Sequence, residues 1–427
     1  MPTQKTLAQI IAGVLSVSFA GKLLQVMLAV VIARLLQPES YGIYALSLTL
    51  SFVFVRFTNL GWPVTLNRLL PKFLAANNLA KFKGALLAAL WTVTAITFLA
   101  LIVLLAFATA FTNTRESQQI LFCVVLIMPF LGGRVLLRNI LAALGSPRRG
   151  LSVEDLIPAA ITLTCTGLAL LQDIAVSPIH IALLYCSANL CSVCLGIFWL
   201  TQILPEGLRH IKSEVFFKSW FKSSTTVMWG QAARMLLNRA DLIMLGALST
   251  LETTGLYAVA LRLCQLLVLP SNAVQTYIAP RISSLASAGD DQETIKLFRL
   301  SLGFAFITSV PTAFMFGLFP SELVTFTFGV DYAAAANVLM LLAISKVFMS
   351  LSNSLSSYML MMANERVFGR LAMSSMIINL GLNAALIPGY GAVGAALATC
   401  VAVFLLCISQ LWYCRGALLK ASAEDSM

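Results

Sequence analysis

The chain has 427 residues, of which 59% are hydrophobic and only 11% are charged. Because a soluble globular domain carries about 25% charged residues, this composition excludes a soluble enzyme, a disordered chain and a small disulfide scaffold. The 28 lysines and arginines exceed the 17 acidic residues and give a net charge of +11. In a membrane chain such an excess indicates basic loops on the cytoplasmic face, so we expect a polytopic membrane protein without a nucleic-acid partner.

Twelve runs of the sequence are long and apolar enough to be spanning helices, which need roughly 20 mainly apolar residues. Turn residues separate the runs, as at 145–147 (GSP) and 388–391 (PGYG). The pattern therefore predicts an all-α polytopic membrane protein. In chain order the predicted spans are 9–35, 41–62, 84–110, 117–143, 151–172, 178–203, 220–247, 253–279, 296–319, 333–361, 367–388 and 392–414.

Alternate connections between these spans differ sharply in basic residues. One set is basic, as are both termini, whereas the other set holds a single base, Arg115. Since lysine and arginine concentrate in cytoplasmic loops, both termini are predicted to be cytoplasmic. The opposite connections are short, which predicts no extracytoplasmic domain. The basic set comprises Arg68, Lys72, Lys81, Lys83, Arg148, Arg149, Arg209, Lys212, Lys218, Lys222, Arg281, Lys296, Arg299, Arg366 and Arg370.

The sequence offers little to enzymatic or metal chemistry. The nine cysteines lie within or at the ends of apolar runs and are predicted to be small buried hydrophobes. The two histidines, His180 and His210, have no neighbouring metal ligands. Walker, G-x-S-x-G and H-E-x-x-H motifs are absent from the sequence. We therefore expect no catalytic residue, no metal site and no cofactor, and we do not expect an enzyme.

Two segments of the chain resemble each other. Residues 41–45 (YGIYA) open the second predicted span, and residues 254–258 (TGLYA) open the eighth. Each span then reaches a proline followed by a base, at 71–72 and at 280–281. Six spans repeated in the same orientation predict two lobes related by a pseudo-two-fold axis along the membrane normal. The predicted boundaries are 1–204 for the first lobe, 205–218 for a cytoplasmic linker and 219–427 for the second lobe.

Charge inside the spans is the most informative feature, because each such charge costs a few kcal/mol or more. Only one acid, Asp241, lies clearly within a span, while Glu154 and Asp155 are predicted at the cytoplasmic mouth of the fifth. Of the bases, Arg34 and Arg56 are close enough to a membrane surface to reach it. The eight bases within predicted spans are Lys22, Arg34, Arg56, Arg134, Arg234, Arg239, Arg262 and Lys346.

Such a surplus of one sign predicts a hydrated cationic cavity or an anion from outside the chain. Asp241 is the candidate coupling residue; Arg239 is not expected to pair with it, because side chains two residues apart point in different directions on a helix. The predicted substrate-binding residues are Lys22, Arg134, Arg234, Arg239, Arg262 and Lys346.

Polar residues accompany several of these cations at helical spacing. Gln25 follows Lys22 and Gln265 follows Arg262, each about one turn away. At about 100° per residue, two longer polar stripes each cover less than a quarter of the helix circumference. We interpret the cations of these stripes as lining a cavity and the serines as hydrogen-bonding between helices. The stripes are Gln231, Arg234, Asn238 and Asp241, and Lys346, Ser350, Asn353 and Ser357.

Three motifs add a family resemblance, namely residues 34–42 (RLLQPESYG), 238–241 (NRAD) and 386–396 (LIPGYGAVGAA). With them the whole chain resembles the polysaccharide-transporter branch of the multidrug/oligosaccharidyl-lipid/polysaccharide exporter (MOP) superfamily. The resemblance implies a V-shaped, alternating-access, Wzx-like flippase of the bacterial inner membrane. Its implied substrate is an undecaprenyl-diphosphate-linked oligosaccharide repeat unit, an anionic lipid-linked sugar for surface polysaccharide. Membrane lipids and other membrane proteins of polysaccharide assembly are the implied partners.

Other functions stay open at this point. A multidrug or cation antiporter of the same fold would need midplane carboxylates, which the first predicted lobe lacks. A lipid II flippase commonly has two further helices, and a membrane glycosyl-polymerase needs a sizeable periplasmic loop. For the energy source we predict the membrane potential, with proton antiport through Asp241 as the alternative.

Overall fold

The computed structural model describes residues 4–111, 115–172, 176–205, 208, 211–288, 291–362 and 365–424. All the regular structure in these ranges is helical. Within them, ten helices are long and apolar enough to cross a membrane. One of the ten, Arg366–Arg415, has 50 residues, roughly twice what a bilayer requires.

This long helix is bent at Gly391, whose φ of 51° and ψ of −128° are not helical, so it supplies two spans. A further helix, Phe217–Leu248, has 32 residues and is long enough to span, but it carries several charged side chains. These helices together give the predicted all-α architecture of twelve spans, which is confirmed.

The chain divides into two compact units, Met1–Arg239 and Ala240–Met427. In unit 1 eight helices precede α9, the helix within which the division falls, and a π-helical turn, Ser152–Leu156, joins α6 to α7. The helices are α1 (Gln4–Leu35), α2 (Pro38–Thr58), α3 (Trp62–Ala75), α4 (Leu79–Phe111), α5 (Arg115–Ala143), α6 (Pro147–Leu151), α7 (Ile157–Leu171), α8 (Pro178–Ile203) and α9 (Phe217–Leu248).

In unit 2 the remaining helices follow α9, and a 3₁₀ turn, Val330–Ala335, joins α12 to α13. Its core includes Phe298, Leu355 and Met359, and the rings of Phe298 and Tyr358 stack with centroids 4.2 Å apart. The helices are α10 (Leu251–Ala288), α11 (Asp291–Leu318), α12 (Pro320–Phe328), α13 (Ala336–Met361) and α14 (Glu365–Glu424).

The second predicted span is shorter than expected and is followed by a separate helix. Leu60 and Gly61 adopt left-handed φ values of 47° and 73°, which end α2 and start α3. A Cβ atom at residue 61 would overlap the backbone of Ser224 and Met228 on α9, so glycine is required there by both conformation and space. The corresponding segment of the second repeat, α10, runs unbroken to Ala288.

The fifth span contains the π-helical turn, which the sequence pattern did not predict. Its carbonyl at Val153 accepts a hydrogen bond from Ser192 Oγ on α8 at 2.6 Å. On the other side α1 approaches so closely that a Cβ at Gly21 would lie 2.8 Å from Asp155 Cβ. The turn is therefore held by α8 and α1, and it fixes the position of Asp155.

The boundary between the two units lies within α9, after Arg239. The described end of the predicted linker lies along α4, since Glu214 N–H donates to Ala80 O at 3.1 Å and Lys83 Nζ donates to Ile211 O at 2.8 Å. Residues 206–207 and 209–210 of the linker are outside the described residues. The boundaries 1–204, 205–218 and 219–427 stay a prediction.

The expectation that the cysteines are buried is wrong for Cys165, Cys191 and Cys194, which are exposed. Large apolar side chains such as Trp91 and Phe326 are also exposed on the helices. Because lipid is as apolar as a protein core, an apolar run does not show which of its side chains face inward.

Candidate functional site

Lys22, which we expected to lack an acidic partner, has one. Its Nζ lies 3.4 Å from Oδ1 of Asp155 in the π-helical turn, and Gln25 Nε2 donates to the same oxygen at 2.9 Å. The Asp155 side chain is 11% exposed and that of Lys22 is 45% exposed. Sequence reasoning placed Asp155 at the mouth of a span, but the close approach of α1 at Gly21 brings the carboxylate within reach of Lys22.

A second ion pair lies beside the first. Arg138 on α5 and Glu154 in the π-helical turn approach to 2.5 Å. Arg138 lies in the predicted fourth span and was missed as an intramembrane base. The available signal was its position one turn after Arg134, on the same face of α5. Acids at 154 and 155 thus neutralise two bases of unit 1.

Arg134 lies inside unit 1 and has neutral partners. It is only 4% exposed, and its Nη2 lies 3.4 Å from the Tyr185 hydroxyl on α8, with the Tyr185 ring centroid 6.0 Å from Cζ. Its Nε has no hydrogen-bond partner among the described residues. Neutral partners do not offset the charge of a buried guanidinium, and burying such a charge is costly in an apolar interior.

Two further arginines of unit 1 contact neutral groups. Arg56 Nη1 lies 3.3 Å from Gln231 Oε1 on α9. Arg239 Cζ lies 5.6 Å from the centroid of the Phe52 ring, within cation–π distance. The side chain of Arg234, a predicted site residue on α9, lies outside the described residues.

In unit 2 the Asp241 carboxylate accepts three hydrogen bonds from neutral groups. Asn383 Nδ2 donates to Oδ1 at 2.8 Å, while the hydroxyls of Tyr257 and Thr399 donate to Oδ2 at 2.9 Å and 2.8 Å. All three donors are uncharged, and the expectation that Arg239 does not pair with Asp241 stays a prediction. Tyr257 and Asn383 are fully buried.

These three donors come from α10 and from the two halves of α14, and sequence reasoning missed them. Tyr257 belongs to the repeated motif 254–258, and Thr399 follows the glycine-rich segment 386–396, so both lay close to segments already singled out. Among the described residues no three histidine, cysteine, aspartate or glutamate side chains are grouped to hold a metal.

The remaining predicted cations of unit 2 are Arg262 and Lys346. Arg262 Nη1 lies 3.4 Å from Gln265 Oε1, one turn away on α10. Lys346 on α13 is 8% exposed, with its Nζ 3.6 Å from Met349 Sδ. The predicted cations thus lie in both units, and their common cavity stays a prediction.

The fold of this chain is also found in solved structures of membrane proteins. A solved lipid II flippase MurJ in an inward closed conformation aligns with 96% of this chain and 90% of its own, with a TM-score of 0.72 and 14% identity. An inward-facing MATE multidrug resistance transporter of the MOP superfamily aligns with 98% of this chain and 99% of its own, with a TM-score of 0.75 and 12% identity. At these identities the likeness shows the fold alone, which this chain shares with both structures.

The chain belongs to the polysaccharide biosynthesis protein family, whose model matches residues 7–286. A second family model, lipid II flippase MurJ, matches residues 174–424. The probable low-salt glycan biosynthesis flippase Agl15 of Haloferax volcanii is 28% identical over 159 residues, which are 37% of this chain and 34% of that relative. The match therefore spans about a third of the relative's length. The predicted resemblance to the polysaccharide branch of the MOP superfamily is confirmed.

Proposed function

We propose that this protein is a flippase that moves an undecaprenyl-diphosphate-linked oligosaccharide repeat unit across the bacterial inner membrane for surface polysaccharide biosynthesis. Both termini are cytoplasmic in this proposal, and the substrate enters from the cytoplasmic leaflet. Other membrane proteins of polysaccharide assembly are its proposed partners. The activity makes and breaks no covalent bond, so the protein acts as a transporter and not as an enzyme.

The observation that carries the proposal is a set of intramembrane guanidinium groups with neutral partners. Arg134 contacts Tyr185 and Arg262 contacts Gln265, so neither charge is neutralised by these contacts. A substrate diphosphate supplies the missing anion, and charge-assisted hydrogen bonds to its oxygens are stronger than bonds between neutral groups. The lipid tail stays in the bilayer while the cations hold the headgroup.

The test is transport of a fluorescent undecaprenyl-diphosphate oligosaccharide into reconstituted proteoliposomes. Replacing Lys22, Arg234, Arg262 or Lys346 by alanine removes a charged contact worth about 1.5–3 kcal/mol. We therefore expect an affinity loss of roughly 10- to 100-fold for each residue that touches the diphosphate.

The matched control is Lys296→Ala. Lys296 is 77% exposed, pairs with Glu293 and is outside the predicted site, so this variant should transport like the wild type. Wild-type transport by all four site variants would show that the substrate does not depend on these cations.

Lipid II is the second candidate substrate, because the MurJ family model matches residues 174–424. Lipid II also carries a diphosphate, so the cationic residues do not separate the two substrates. A competition experiment in the same proteoliposomes separates the two substrates. Unlabelled repeat-unit lipid should inhibit transport of the labelled lipid at a concentration well below that at which lipid II inhibits it. The reverse order would assign the chain to lipid II.

A further inference from the structure

The Lys22–Asp155 pair has one fixed partner and one movable partner. Asp155 is 11% exposed and sits in the π-helical turn that α1 and α8 hold in place. Lys22 is 45% exposed, and its amine ends a flexible four-carbon stem. The Lys22 side chain can therefore move to another anion, whereas the Asp155 carboxylate stays in place.

Gln25 makes such an exchange tolerable for the carboxylate. Its Nε2 donates to Asp155 Oδ1 at 2.9 Å, which is shorter than the 3.4 Å contact from Lys22 Nζ to the same atom. If Lys22 leaves, Oδ1 keeps a hydrogen bond. π-Helical turns occur frequently at functional sites, and this one carries the carboxylate at its fourth position.

The pair is also weak enough to be displaced. Its contact distance is long for a charge-assisted hydrogen bond, and the lysine is nearly half exposed, a setting in which ion pairs contribute little. A diphosphate offers two or more negative charges and several acceptor oxygens. It therefore competes with a single carboxylate oxygen for the Lys22 ammonium.

We propose that Asp155 is an internal substitute for the substrate phosphate. It holds Lys22 in the empty transporter, yields Lys22 to the diphosphate on loading and recovers it on release. Asp155 is thus a positioning residue that acts through Lys22 and does not touch the substrate. The inference rests on the proposed function, since it requires a substrate that carries a diphosphate.

The first test measures binding of farnesyl diphosphate to the purified full chain in nanodiscs by isothermal titration calorimetry. Asp155→Asn keeps the acceptor for Gln25 and removes the competing charge. We expect this variant to bind farnesyl diphosphate about two- to fivefold more tightly than the wild type, the range set by a weak, partly exposed ion pair. In the Lys22→Ala background the same change should have no effect, because the two residues act as a coupled pair.

Glu154→Gln is the matched control. It removes one negative charge from the adjacent residue, which pairs with Arg138 and not with Lys22. Glu154→Gln should not tighten farnesyl diphosphate binding as much as Asp155→Asn does if the proposal is right. If it does so equally, or if Asp155→Asn tightens binding in the Lys22→Ala background, the cause is a general gain of positive charge and the proposal is overturned. Unchanged or weaker binding in Asp155→Asn overturns it as well.

A turnover measurement separates this role from a structural one. With the labelled lipid-linked oligosaccharide in proteoliposomes, Asp155→Asn should lower both KM and kcat, because loading is easier and release is slower. A merely structural residue would lower kcat without lowering KM. If the wild type neither binds farnesyl diphosphate nor transports the lipid, the proposed function itself fails, which is distinguishable from failure of the Asp155 variant alone.

A second variant covers the case in which Asp155→Asn does not fold. The double exchange of Lys22→Asp with Asp155→Lys restores an ion pair but places the cation at the fixed, buried position. We expect this protein to fold and to lose farnesyl diphosphate binding at least tenfold. Binding at the wild-type level would contradict the requirement for a movable lysine.

Discussion

Replacing Asp241 by asparagine distinguishes the two energy sources open to the proposed flippase. The carboxylate accepts three hydrogen bonds at 2.8–2.9 Å from Tyr257, Asn383 and Thr399. An asparagine keeps the shape, and the two hydroxyls can rotate to accept from its amide. The change therefore removes the charge and the titratable group while most of the hydrogen bonds persist.

The membrane potential alone supplies a large driving force for a diphosphate. One charge crossing 100 mV is worth about 2.3 kcal/mol, so a headgroup near −2 gains roughly 5 kcal/mol on moving outward at that potential. This corresponds to an accumulation of roughly three to four powers of ten. Cationic side chains in the site do not alter the net charge moved over a complete transport cycle. The loaded site is nearly neutral as it moves outward, and the empty site then carries its positive charge inward.

The assay is transport of labelled lipid-linked oligosaccharide in proteoliposomes under a K⁺/valinomycin potential with equal pH on both sides. We expect acceleration when the loading side is negative, and we expect Asp241→Asn to retain it within about threefold, a barrier change of under about 1 kcal/mol. Tyr257→Phe is the matched control, since it removes one donor and keeps the charge. Transport that depends on a pH gradient alone and is lost in Asp241→Asn would refute potential drive.

Two further predictions concern stability and are measured as thermal unfolding of the purified protein. Gly61→Ala should destabilise unit 1 by more than about 1–3 kcal/mol, because it adds an overlap with the α9 backbone to an unfavourable left-handed φ of 73°. The control is Gly145→Ala, where φ is 80° but the space around the Cβ is open, so this variant should cost only the conformational strain. An equal loss of stability in the two variants would exclude the close approach of α9 to Gly61. Arg134→Met should leave stability unchanged or raise it, since a buried charge with neutral partners is replaced by an apolar side chain of similar length. Substrate binding should fall in the same variant if Arg134 binds the substrate. A loss of several kcal/mol in the free energy of unfolding would show instead that the guanidinium stabilises the fold.

The spans were predictable from the sequence because a bilayer permits few structures. Backbone groups in lipid must be satisfied within the segment, so an apolar run of sufficient length is a helix. The predicted second span, 41–62, ended near the observed end of α2 at Thr58. That α3 follows directly after the left-handed Leu60 and Gly61 was not predictable, because the close approach of α9 to Gly61 comes from a distant part of the chain. The π-helical turn was not predicted from the sequence for the same reason, since the hydrogen bond that supports it comes from Ser192 on a later helix.

The candidate site was predictable in residue type and only partly in its contacts. Helical periodicity predicts that Arg239 and Asp241 point in different directions, because both residues belong to one helix. The partners of Asp241 come from other helices, and no spacing along the chain indicates that Asn383 and Thr399 meet it. Counting charges by span also failed for Lys22, because an acid near the end of one span still reached a base inside another.

The intramembrane bases of this chain have two kinds of partner, and the two kinds have different consequences. Lys22 and Arg138 are paired with acids of the π-helical turn, and an anion that binds Lys22 must displace Asp155. Arg134 and Arg262 have neutral partners, so an anion gains their charge without displacing another. For the buried Arg134 an apolar residue would be the more stable choice, because a buried ion with neutral partners is destabilising. An arginine at this position is therefore better explained by a ligand that brings the opposite charge, and a lipid-linked diphosphate is that ligand in the proposed function.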